Sequence, residues 1–156
     1  MKSELIGESL EKLALQFFYR YSRFEFALKE NGYLRDSTPG VRATPDWRKF
    51  ALDHHEAHRI SDEARALIDA APKQQVVAPG NRLEWRNVDL NGWPGDLGKA
   101  VRVVQTVRNN LFHGGKHGAD GWDDPVRTAR LLELGVAVLD HIAEDTHLDG
   151  DYRRFY

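Results

Sequence analysis

Between Ser3 and Asn31 apolar side chains fall at Leu10, Leu13, Ala14, Phe17, Tyr21, Phe24 and Leu28. Steps of three and four residues lay one stripe along a helix. Such a helix is roughly 40 Å long at 1.5 Å per residue, and its apolar side has to be covered by other elements. Ser3 is placed to cap its start, and Asn31-Gly32 offers a left-handed stop. On the helical wheel Glu25 falls beside the stripe, at the edge of the core, where a carboxylate needs a cationic or hydrogen-bonding partner.

The chain of 156 residues has the length of one domain with one core, so residues 1–156 are read as a single unit. It contains no cysteine, which removes disulfides, thiolate metal sites and a cysteine nucleophile. With 22 basic and 24 acidic residues the formal net charge is −2, so any nucleic-acid site must be a local patch. The N-terminal stretch MKSELIGESLEKL has no apolar core of a secretory signal, and no apolar run approaches 18 residues. A cytoplasmic protein without a membrane partner is expected.

Tyr33 to Thr44 is rich in turn formers, and Thr44-Pro45-Asp46 reads as a cap with proline at the first helical position. The helix it opens runs through Trp47, Phe50, Ala51 and His54. The segment DHHEAH, Asp53 to His58, gathers three histidines and two acids and invites a metal reading. It is not the zincin pattern, and no distant third ligand stands out. A solvated helical face or loop is the expected state, with no metal and no cofactor. Ser61 favours a helix start, and that helix runs to Ala71 before Pro72. Around Pro79-Gly80-Asn81 a short hairpin is expected, Gln75–Ala78 against Leu83–Asn87, lying on the helical body with Trp85 and Trp93 as packing anchors.

Gly95 to Phe112 is helical again, with Leu97, Ala100, Val101, Val104, Val107 and Leu111 on one broad stripe. Arg102, Thr106, Asn109 and His113 occupy the other side. Arg108 projects near the middle of the apolar stripe, so its guanidinium must be paired inside the fold, open to a cleft, or set at an interface between subunits. Gly114-Gly115 ends the helix and leaves His113 in its last turn. A glycine-rich loop, Lys116 to Asp124, precedes a last helix from Pro125 to about Ala143, apolar on more than one face and therefore sandwiched between other helices or buried in a dimer. The tail DYRRFY either docks on a neighbour or stays disordered.

Arg108-Asn109, three further residues and then His113, running into Gly-Gly-Lys, resembles the signature of the HEPN family (higher eukaryotes and prokaryotes nucleotide-binding domains). The early stretch FYRYSRFEFAL resembles that family's first helix. The resemblance implies an all-α helical bundle of four or five helices, here carrying the hairpin near residues 75–87 as an insertion. It also implies a homodimer whose two motifs face each other across a cleft, and in many members a metal-independent endoribonuclease of toxin–antitoxin, antiviral or RNA-processing systems. An antitoxin or other partner protein is then a further candidate beside RNA. Where that family carries a tyrosine two positions after the histidine as a modification target, this chain has Gly115.

Cleavage of RNA through its 2′-hydroxyl requires proton transfer and stabilisation of a phosphorane bearing extra negative charge. His113 is the candidate acid or base, and Arg108 can fork two hydrogen bonds onto phosphate oxygens. Asn109 would orient the histidine or hold a phosphate or sugar oxygen, Lys116 would add charge for RNA, and Glu25 is a weaker candidate for substrate contact. Five positions set Arg108 about 140° from His113 on an ideal helix, so the two need not meet within one subunit. The competing expectations are an Arg108–Glu25 pair serving the fold alone, and a non-catalytic module that binds a nucleotide or a protein partner.

Overall fold

The computed structural model describes residues 2–113 and 124–154, with side chains from residue 7 onward. Six helices and one hairpin follow in the order α1 (Lys2–Glu30), α2 (Trp47–His54), α3 (Asp62–Asp69), β1 (Lys73–Ala78), β2 (Arg82–Asn87), α4 (Gly95–His113), α5 (Pro125–Asp145) and α6 (Asp149–Tyr152). This is the expected helical bundle with a hairpin insertion, with six helices among the described residues where four or five were expected. The long helices α1, α4 and α5 frame one core in which Phe17, Phe24 and Leu28 meet Val101, Val104 and Val107, and Leu132, Leu139 and Ile142. α5 is sandwiched as its all-round apolar character requires, touching α1, α3, α4 and α6. α1 and α5 approach closely because Gly135 has no side chain: a Cβ there would come 2.6 Å from the ring of Phe17, which is wholly buried.

α1 stops as predicted. Gly32 takes φ +80°, the Tyr33 N–H bonds back to the Leu28 carbonyl and the Gly32 N–H to that of Lys29. Ser3, expected as the cap, lies instead inside the first turn, since the helix already runs from Lys2. Residues 33–46 then form a hoop whose ends are stitched together. Arg35 N–H reaches the Thr44 carbonyl, Asp46 N–H reaches that of Tyr33, and Leu34 bridges Pro45. Its closure moves the cap of α2 two residues along. Asp46, not Thr44, accepts from the Lys49 N–H at 2.9 Å, because Pro45 is held in the bridge and cannot serve as a first helical residue. Ser61 caps α3 as expected, and Asp124 caps α5 with Pro125 at the first position.

The hairpin starts earlier than its apolar residues indicate, pairing Lys73 with Asn87 and Ala78 with Arg82. α5 also runs two residues beyond Ala143. In the tail, the four-residue α6 docks. Tyr152 is buried, its hydroxyl donates to Asp140 Oδ1 at 2.6 Å, and Arg23 of α1 donates to the carbonyls of Asp151 and Tyr152. No helix among the described residues is long and apolar enough to cross a membrane.

Candidate functional site

α4 is the shared wall of two cavities. The larger, about 880 Å³, opens between α1, the 33–46 hoop, the start of α2 and α4. Its lining includes six cationic side chains, Lys29, Arg35, Arg42, Arg48, Arg102 and Arg108, against two carboxylates, Glu25 and Asp46. Both acids are already engaged. Asp46 caps α2, and Glu25 accepts from the Trp47 indole N–H at 3.3 Å. Six cations against two carboxylates leave the cleft with an excess of positive charge on a chain whose formal charge is −2.

Arg108 is half-buried at the rim of this cleft, with its guanidinium carbon 4.3 Å from the Phe112 ring centre and 5.7 Å from that of Tyr21. Aromatic faces attract a cation without neutralising it. Among the described residues no carboxylate pairs with Arg108. Its one hydrogen bond there goes to Asn109 Oδ1 at 3.2 Å, out of five N–H donors. The wheel put this arginine in the apolar stripe; its long stem carries the charged head past the stripe to the cleft, over the aromatic rings. Beneath it Tyr21 is buried, and burial first, then the Glu25 carboxylate, pushes its pKa well above 10, so the phenol keeps its proton. Glu25 thus sits in the cleft as a partner for Trp47 and Tyr21.

The smaller cavity, about 240 Å³, lies on the other side of α4 under the hairpin and is lined by Gln74, Gln75, Trp85, Arg102, Thr106, Asn109, Asn110 and His113. This is the side of α4 that carries Arg102, Thr106, Asn109 and His113, as the helical wheel predicts. The hairpin covers it: Arg102 donates to Gln74 Oε1 at 2.9 Å, Asn110 donates to the Lys73 carbonyl at 2.8 Å, and Thr106 is buried with its hydroxyl on the Arg102 carbonyl. Trp85 is half-buried over this cavity and Trp93 half-buried against Arg48, each at the edge of the core. His113 is exposed at the last position of α4.

Asn109 and Arg102 line both cavities, while Arg108 faces the larger and His113 the smaller. One chain therefore brings Asn109 to Arg108 but does not bring Arg108 and His113 into a single pocket. Lys116 lies outside the described residues. Sequence reasoning missed Arg35, Arg42 and Arg48, whose signal was three arginines within fourteen positions of a turn-rich segment, and Gln74 and Asn110, which carried none.

The histidines of Asp53–His58 disperse. His54 bonds the Tyr33 hydroxyl at 2.9 Å, His55 packs against Gly95, and His58 meets Asp145 at the end of α5. Burial holds the His58 pKa below its ordinary value, against the pull of Asp145. Comparison of the chain with family profiles, curated proteins and solved structures finds no match, so the functional argument rests on the residues of the site.

Proposed function

We propose that the protein is an HEPN-like endoribonuclease that binds RNA in the basic cleft and cleaves it at a site completed by a second copy of the chain. The observation that carries this is the unneutralised Arg108 at the rim of a cleft with six cations, next to a motif whose histidine lies one face away. RNA phosphates fit such a surface. In the reaction the 2′-oxygen attacks phosphorus and the 5′-oxygen departs, leaving a 2′,3′-cyclic phosphate and a 5′-hydroxyl. The proton lost by the 2′-hydroxyl is matched by one delivered to the leaving oxygen. His113 serves in this proton transfer, Arg108 binds the phosphorane oxygens, and Asn109 holds Arg108 in place.

An exposed apolar patch adjoins the motif and supports the reading of a shared site. Leu15 is 69% exposed, Phe18 42% and Phe112 48%, and the rings of Phe18 and Phe112 touch at 5.2 Å between centres. Three large apolar residues on neighbouring helices, with Arg108 stacked on one of them, form the kind of patch that a second subunit covers.

The test is cleavage of end-labelled RNA in EDTA by wild type, Arg108→Ala, His113→Ala and an equimolar mixture of the two variants. Loss in each variant, with activity returning on mixing, is expected, because the mixed dimer contains one site with Arg108 from one chain and His113 from the other. Equal activity in all samples assigns the cleavage to a contaminant. Tight nucleotide binding without turnover favours a non-catalytic binding module.

A further inference from the structure

We propose that His58, His141 and Asp145 form a binding site for one divalent transition-metal ion of the zinc class, tying the α2–α3 loop to the C-terminal end of α5. The three residues offer donor atoms that all lie within 4.8 Å of one another. Ligands about 2.0–2.1 Å from a zinc ion stand about 3.3 Å apart, so side-chain movements of up to about 1.5 Å bring the set to that spacing. Two imidazoles and a carboxylate, with no thiolate, select zinc or a neighbouring late first-row ion over calcium or magnesium, which prefer all-oxygen shells.

The hydrogen bonds prepare both rings as ligands. His141 Nε2 lies 2.9 Å from the Arg59 carbonyl, and only an N–H satisfies a carbonyl, so the lone pair of His141 is on Nδ1. His58 Nδ1 lies 2.5 Å from Asp145 Oδ2, so the ion takes the place of the proton these two atoms share, and its binding releases that proton. The His58 side chain is 1% exposed, so the ring is held in place beside Asp145. Asp145 Oδ2 also takes the Arg59 N–H, which holds the carboxylate beside the ring. The His58 and His141 rings stand 5.5 Å apart between centres. None of the three residues lines either cavity, so the ion braces the fold and is separate from RNA chemistry.

The experiment titrates zinc into EDTA-stripped, re-dialysed protein by calorimetry, against a competing chelator, with thermal unfolding followed in parallel. One ion per chain and a higher melting temperature with zinc are expected. His141→Ala and Asp145→Asn should each weaken binding by about 10- to 100-fold and abolish the shift in melting temperature. Circular dichroism of each variant checks that the helices persist, and both positions are accessible enough for that control to be met. His147→Asn, at an exposed residue with φ +61°, should bind as wild type. Absence of stoichiometric binding overturns the proposal, and so does equal binding by wild type, His141→Ala and Asp145→Asn.

Discussion

The two sides of α4 are built from similar polar residues yet do different work. On the side facing α1 and the hoop, charge is left uncompensated: Arg108 rests on aromatic faces, and the acids nearby are spent on a helix cap and an indole. On the hairpin side, polar groups are satisfied one by one, Arg102 by Gln74, Asn110 by Lys73 and Thr106 by the helix backbone. An unsatisfied cation next to an open cleft invites a ligand, whereas paired amides fasten one element to another. Residue type alone therefore does not mark a site; what marks it is whether the fold has already used the group.

That contrast is sharpest in catalysis. Arg108→Ala should lower RNA cleavage by about 10²- to 10³-fold in single-turnover assays while lowering the melting temperature only slightly, since what it removes inside the fold is a stack on two aromatic rings and one hydrogen bond to Asn109, with no ion pair among the described residues. A large stability loss with little loss of rate would reverse the assignment. Next in size is charge. In Arg35→Ala/Arg42→Ala the salt dependence of single-stranded RNA binding should flatten by about 0.7 in log–log slope for each phosphate no longer neutralised. Gln74→Ala, across the helix, should leave that slope unchanged, and an equal effect of both changes would erase the distinction between the two sides.

Asn110→Ala probes the fastening side. It removes the side-chain donor to the Lys73 carbonyl and should cost about 0.5–1.5 kcal/mol in urea unfolding, with the RNA salt slope intact. The smallest effect is alkaline. Tyr21 and Tyr152 both have pKa values raised by burial, with Glu25 and Asp140 adding to the rise. The unfolded chain gives up these protons near pH 10 while the folded chain keeps them. Their contribution is thus complete below about pH 10 and declines as pH rises beyond it, and Tyr21→Phe should flatten the fall of melting temperature above that pH.

Much of the architecture was legible because periodicity reports burial directly. The stripes of α1 and α4, the Gly32 stop and the Ser61 cap are local facts, and the structure repeats them. The site was legible only in part. Arg108 and Asn109 stood out as polar residues in an apolar frame, but the arginines of the hoop gain their role from a chain reversal stitched by backbone bonds that leave no mark in side-chain pattern. His58 shows the same limit: its partner Asp145 is 87 residues away, so a search for ligands by local spacing stops short of it. Thr44 misled for a related reason, since a cap depends on where the preceding loop closes.

The stitched hoop at residues 33–46 has one more consequence. Its backbone is ordered as part of folding, by bonds at Tyr33, Arg35, Thr44 and Asp46. Arg35 and Arg42 consequently reach the cleft from a fixed rim, with only their side-chain torsions left to settle when an anion arrives. The cleft is closer to a set mould than to a closing hand, and binding there should carry little of the entropic penalty that a free arginine-rich loop would face.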